Sequence, residues 1–206
     1  MKIDKKRFLF IINGNGDERM ELNLNRAHIE TERLLLRPLH RRDAEALFRY
    51  ASDPLVGPAA GWAPHRDLRD SRSAIREMRS SGRVLGVVKK ETGRLIGTVG
   101  LRRDVHRPGV FCAALGYSFA SPEWGKGYAL EACRAVLDYA FGEMLLPTCS
   151  AICLPGNEAS IALLTRLGFS RDGILRRGYP YFDGTVRDVL LFSLTREEYE
   201  EKERRS

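Results

Sequence analysis

The sequence predicts an α+β domain, a mixed and mostly antiparallel sheet with helices packed on it. Three observations carry that expectation. The first half of the chain holds strand patterns at hairpin spacing, and the second half runs strand, helix, strand, helix, strand. A helical apolar stripe beginning at Tyr128 is sustained for four turns. No repeat, low-complexity segment or linker divides the 206 residues, a length that buries one ordinary core.

In chain order, residues 1–25 read as an extension ahead of a domain spanning 26–206. M-K-I-D-K-K-R-F-L-F-I-I has the character of a short basic-apolar strand, and N-G-N-G-D-E-R that of a loop. Met20 is an alternative start that N-terminal mass spectrometry would test. A strand follows over Arg33–Arg37 and ends at Pro38, then a helix over Asp43–Tyr50. V-G-P-A-A-G-W-A-P reads as a Gly/Pro loop, and Leu68–Ser80 as a helix striped by Arg69, Arg72, Arg76 and Arg79. The strands Val84–Val88 and Leu95–Leu101 flank the turn K-K-E-T-G-R as a hairpin.

Ala113–Phe119 is the next strand. From Tyr128 the positions Ala129, Ala132, Cys133, Val136, Leu137, Ala140, Phe141 and Met144 give a helix with one buried face. Cys149–Leu154 reads as a strand. Asn157 caps the start of a helix that Gly168 stops. Strands over Ile174–Gly178 and Arg187–Leu194 lead to a last helix opened by the capping box T-R-E-E at Thr195–Glu198.

No apolar run approaches the ~20 residues of a membrane span, and Phe8–Ile12 has no cleavage-site pattern after it, so neither a membrane segment nor a secretory signal is expected. Four cysteines (Cys112, Cys133, Cys149, Cys153), with no histidine near them at ligand spacing, suggest neither a disulfide framework nor a metal site; a reducing cytoplasm is the expected home. The formal charge is +7, and residues 66–107 alone hold twelve Arg and Lys against five Asp and Glu, which accounts for all of it. That region reads either as a solvated face or as a dock for an anionic partner.

Between the Ala113–Phe119 strand and the striped helix lies P-E-W-G-K-G-Y-A-L-E-A, Pro122–Ala132. A helix N-terminus offers unpaired N–H groups and the positive end of the macrodipole. Glycines just ahead of it let a pyrophosphate approach the backbone, and Lys126 adds charge. A plain tight turn is the alternative. The P-loop pattern does not fit, because Lys126 stands between the glycines, and the dinucleotide fingerprint lacks its third glycine, because position 130 is Leu.

The stretch resembles the acetyl-CoA signature Q/R-x-x-G-x-G/A of the GNAT N-acetyltransferases, in the W-G-x-G-Y-A-x-E-A form typical of the ribosomal-protein N-terminal acetyltransferase (RimJ/RimL-like) branch. The resemblance runs from E-T-E-R-L-L-L-R-P-L at Glu30 to Tyr199, and N-E-A-S-I-A-L-L-T-R-L-G-F at Asn157–Phe169 is its second landmark. Pro122 stands where the general signature has Gln or Arg.

The resemblance implies a seven-stranded mixed sheet whose central strands splay to hold acetyl-CoA. It also implies roles for residues. The backbone of Gly125, Gly127, Tyr128 and Ala129 would hold the pyrophosphate, lined by Trp124 and Lys126. Tyr117, Ser118 and Phe119 would pair with the pantetheine, Asn157 would bond to it, and Ser160 would stabilise the leaving thiolate. Ser160 reads equally as a first-turn residue bonding locally.

Where relatives carry a glutamate base and a tyrosine acid, this sequence has Ile152 and Leu164, and Ala114 replaces a further glutamate before G-Y. Asp104, His106 or Tyr179 could relay a proton through water, although His106 reads better as a loop histidine and Tyr179 as a packed strand residue. The expected reaction is acetyl transfer to an α-amine of a protein N-terminus or small molecule. A non-catalytic acetyl-CoA-binding module and an RNA- or ribosome-binding protein are the alternatives. The acceptor pocket is expected from Val56–Arg66 and Arg176–Thr185, with Trp62, Tyr179, Tyr181 and Phe182 as candidate lining or as plain packing. Oligomeric state is left open, a homodimer included.

Overall fold

The computed structural model describes residues 22–205 and the backbone of two short strands, β1 (Phe10–Ile12) and β2 (Glu18–Met20), which pair antiparallel apart from the main sheet. The residues ahead of Phe10 in the expected first strand, and 13–17 of the loop after it, lie outside the described residues.

The main sheet has eight strands: β3 (Ile29–Glu30), β4 (Leu34–Pro38), β5 (Val84–Lys89), β6 (Arg94–Arg103), β7 (Cys112–Phe119), β8 (Thr148–Cys153), β9 (Ser170–Pro180) and β10 (Val186–Thr195). Their order is β3-β4-β5-β6-β7-β8-β10-β9. The strand beyond the expected seven is β3, a two-residue edge on β4. The pairings are antiparallel except between β7 and β8. That parallel pair is joined through the helix α4 (Tyr128–Asp138), as a crossover requires.

One face of the sheet carries α1 (Ala44–Ala51), α2 (Val56–Ala60) and α3 (Leu68–Ser81), with Leu47, Tyr50, Ile75 and Leu95 among the residues of that core. The opposite face buries α4 and α5 (Glu158–Leu167), and Tyr199 of α6 (Arg196–Arg205) stacks on Phe141. Leu22, Leu24 and Ala27 belong to this second core, so packing begins ahead of residue 25.

Two expectations change in form. The stretch V-G-P-A-A-G-W-A-P is not wholly a loop, because its first five residues form α2. Pro58 is its third residue, within the turn whose N–H groups have no intrahelical partner, so the ring costs that helix little. After α4 the helical stripe continues over Tyr139–Glu143 as a widened turn, with the Met144 N–H bonded to Tyr139 O at 3.0 Å. The capping box stands as written: Thr195 N–H donates to Glu198 Oε2 at 2.8 Å, and Glu198 N–H to Thr195 Oγ1 at 3.3 Å.

Candidate functional site

The β7–β8 pairing supplies the site's frame. It runs only from Cys112 opposite Thr148 to Leu115 opposite Ala151. Beyond that, β7 continues to Phe119 bonded to β6, and its Gly116–Phe119 edge on the β8 side has no strand partner among the described residues. The strands diverge into a wedge, with α4 starting at its mouth and α5 along its far wall.

At the mouth, Gly125 and Gly127 have φ of 74° and 82°, a region that glycine enters at little cost. Gly127 is the N-cap of α4, and the first N–H to return into the helix is that of Glu131, to Gly127 O at 3.0 Å. The N–H groups of Gly125, Gly127, Tyr128 and Ala129 have no acceptor among the described residues. Trp124 is 46% exposed and anchored by its indole N–H to Phe119 O at 2.9 Å. Lys126 is exposed and pairs with Glu123 at 3.1 Å.

Glu131, the glutamate of Y-A-L-E-A, was not singled out by sequence reasoning, and neither was Arg33 of E-T-E-R. The structure brings them together. Arg33 Nε donates to Glu131 Oε2 at 2.7 Å, the Arg33 N–H donates to Oε1 at 2.9 Å, and the Thr31 hydroxyl donates to the same oxygen at 2.6 Å. Arg33 Nη1 also holds Lys126 O at 3.0 Å, and its guanidinium lies 4.5 Å from the Tyr128 ring centre. Burial works against the Glu131 charge, yet the Thr31 and Arg33 bonds outweigh it and hold the carboxyl below its ordinary range. The presence of E-T-E-R and Y-A-L-E-A in one chain was the available signal.

Deeper in the wedge, the Asn157 side chain caps α5, accepting from Ser160 N–H at 3.1 Å, while its amide donates to Ala59 O of α2 at 3.1 Å. The Tyr117 hydroxyl and Ser160 Oγ are 2.7 Å apart, bridging from β7 to α5. Burial pushes the Tyr117 hydroxyl well above its ordinary value, so it stays protonated at neutral pH. Burial likewise pushes the Cys153 thiol, beside Ser160, up to about 11. Ser118 turns to the other face, where its hydroxyl lies 3.1 Å from that of Thr98.

The acceptor candidates cluster around α2. Tyr181 is buried, its hydroxyl donating to Pro58 O at 2.9 Å, with the Arg187 guanidinium 3.4 Å from its ring centre. Tyr179 lies against Gly61, where a Cβ would collide with its hydroxyl. Trp62 packs on Gly57 and on the α1–α3 core, and Phe182 is exposed beside Tyr181.

Asp104 and His106 stand at the other end of β7, where Asp104 accepts from the His106 N–H at 2.8 Å and from Arg107 at 2.7 Å. Cys112 near them is five residues from Tyr117, roughly 16 Å along a strand. Ile152, Leu164 and Ala114, at the positions expected for acid and base, bring no ionisable group. Five of the twelve basic residues of 66–107 are ion-paired, through Arg66–Asp70, Arg69–Asp67, Lys89–Glu91, Lys90–Glu30 and Arg107 with Asp104 and Asp172.

Residues 33–170 match the model of the acetyltransferase (GNAT) domain. The chain belongs to this family. This GNAT acetyltransferase is 35% identical over 174 residues to the N-acetyltransferase p20 of Bacillus licheniformis, itself uncharacterised, covering 82% of this chain and 96% of that one. It is 29% identical over 185 residues to the ribosomal protein uS5-alanine N-acetyltransferase of Escherichia coli, covering 84% and 93%. Among solved structures it is similar to Mycobacterium smegmatis RimJ in complex with CoA-disulfide, with TM-score 0.62, 31% identity, and 80% and 83% of the two chains covered. The GNAT fold, N-acetyltransferase character and RimJ-like affinity expected from the sequence therefore hold. No helix among the described residues is long and apolar enough to cross a membrane.

Proposed function

We propose that this acetyltransferase uses acetyl-CoA to acetylate an α-amine, on a protein N-terminus or a small molecule, by direct attack on the thioester. The observation that carries the reading is one continuous wedge. It starts at the acceptor-free N–H groups of α4, follows the unpaired edge of β7 and ends at the Tyr117–Ser160 pair. The pyrophosphate sits on the N–H groups of Gly125, Gly127, Tyr128 and Ala129, beside Trp124 and Lys126. The pantetheine amides pair with Tyr117–Phe119 as a strand would, and Asn157 reaches them with its second amide hydrogen. The CoA complex of the mycobacterial RimJ and the uS5-alanine specificity in the E. coli relative's name support the donor and the acceptor class.

In the reaction the neutral amine forms the C–N bond, the carbonyl oxygen takes up the charge, and collapse breaks the C–S bond. The nitrogen loses its proton to water. A thiol pKa of roughly 8.5 makes the thiolate a fair leaving group. Ser160 Oγ donates to that sulfur, and the protonated Tyr117 fixes the Ser160 hydroxyl in the direction that allows it. Without a base, the amine must be neutral on arrival. A lysine amine near ~10.4 pays about 3.5 kcal/mol more for that than an α-amine near ~7.8. Steady-state assays with acetyl-CoA, thiol detection and paired α-amine and lysine acceptors test the reading, and faster turnover of lysine side chains would sink it. The four buried free cysteines suit a cytoplasmic location.

A further inference from the structure

On the sheet face that carries α1–α3, the register aligns Arg102 of β6 opposite Ala114 of β7, and Gly100 opposite Gly116. On β8 the neighbour of Ala114 is Ser150. Side chains alternate along a strand, so Gly100, Arg102, Ala114, Gly116, Ser150 and Ile152 share that face. Arg102 is exposed, yet its side chain does not simply extend into solvent. Its guanidinium folds along β7 to lie 3.9 Å from where a Cβ on Gly116 would stand. Gly116 opens the stretch of β7 that has no β8 partner and precedes Tyr117, whose side chain points to the opposite face, so the charge stands on the α1–α3 side of the wedge, across the strand from the Tyr117–Ser160 pair.

No carboxylate lies within ion-pair distance of Arg102 among the described residues. Arg107, by contrast, is satisfied by both Asp104 and Asp172. Arg72, Arg76, Arg83, Arg94 and Arg103 also show no ion pair among the described residues, but it is Arg102 that supplies the three atoms nearest a Cβ placed on Gly116. The other five side chains of this face are neutral and small or apolar. A planar five-donor cation at the first residue of the unpaired β7 edge, with no ion-pair partner among the described residues, calls for a planar oxyanion on the incoming molecule.

We propose that Arg102 is the acceptor-recognition residue, and that the preferred acceptor carries a carboxylate a few bonds from the amine to be acetylated. This rests on the acetyl-transfer reading and narrows its substrate class. The carboxylate belongs either to a free α-amino acid or to an acidic side chain at the second position of a peptide. The same guanidinium disfavours the ammonium form of the amine beside it, which helps a site that has no base.

Calorimetric titration of the CoA-loaded protein with two matched pairs tests this: serine against serinamide, and Ser-Asp-Ala-amide against Ser-Asn-Ala-amide. In at least one pair the acid binds roughly tenfold more tightly than its amide. The pair that does so names the source. Arg102→Gln brings the ratio to one and Arg102→Lys retains part of it; as an exposed residue Arg102 can be changed without touching the core. Equal affinity within both pairs, no binding by any of the four, or a ratio that Arg102→Gln leaves intact would overturn the proposal. CoA affinity is read in the loading step, so failure of the donor site shows separately from failure at Arg102.

Discussion

At the end of the wedge proposed to hold the donor, side chains are held by one another and by backbone: Arg33 and Thr31 on Glu131, Asn157 on Ser160, Ser160 on Tyr117. At the acceptor end the structure is open. The edge strand β9 is exposed along most of its length, Ile174, Leu175, Phe182 and Val186 face solvent, and Arg177 sits at φ 50°. One tyrosine hydroxyl ties that end to the five-residue helix α2. The difference teaches that the proposed donor site is fixed by bonds between elements distant in sequence, whereas the proposed acceptor site is bounded by an exposed edge strand and its loops.

The sharpest way to break the comparison is at Gly127. Gly127→Glu sets a carboxylate at the cradle and forces a side chain into positive φ, so acetyl-CoA affinity falls by about a hundredfold or more while circular dichroism stays unchanged. Gly127→Ala, which carries the backbone cost without the charge, loses much less. Equal losses in the two variants would mean that geometry, not phosphate, explains the glycine.

Next in size is the pair at the reacting end. Ser160→Ala and Tyr117→Phe each lower kcat by about tenfold and leave the KM for acetyl-CoA nearly unchanged. If Tyr117 acts through Ser160, the double variant is no slower than Ser160→Ala, and a purely additive cycle would sink that coupling.

Smaller still is the Arg33–Glu131 contact. Glu131→Gln should cost about 1–2 kcal/mol, a Tm drop of roughly 2–8 °C for a chain of this size. The sign with pH follows from the lowered Glu131 value. Its contribution is complete above the ordinary 4.5 of an unfolded glutamate and is lost as pH falls through the lower folded value. The gap in Tm between native chain and variant therefore closes in acid, and a gap that is constant down to pH about 3 would contradict it. Least of all, Tyr181→Phe frees α2 from β9 for about 1 kcal/mol, raising the acceptor KM and leaving acetyl-CoA affinity as it was.

Legibility followed sequence separation instead. The strand–glycine–helix order, the Asn157 cap, the Gly168 stop and the T-R-E-E box could be read because each depends on neighbours in sequence. The α2 helix was hidden, since a proline and two glycines look like a loop until Pro58 is seen to fall in a first turn. The Tyr117–Ser160 and Arg33–Glu131 contacts join residues far apart along the chain, and no local pattern encodes such distances. Arg102 was counted only as part of a basic region, because strand register decides which face it occupies.

That long reach has a consequence in time. The Arg33 N–H that donates to Glu131 lies 98 residues earlier in the chain. During synthesis the glycine turn and its helix can form as a local unit, but the turn acquires its brace only after β4 has found its place in the sheet. The brace on the glycine turn thus arrives late in folding and reports that β4 and α4 have come together.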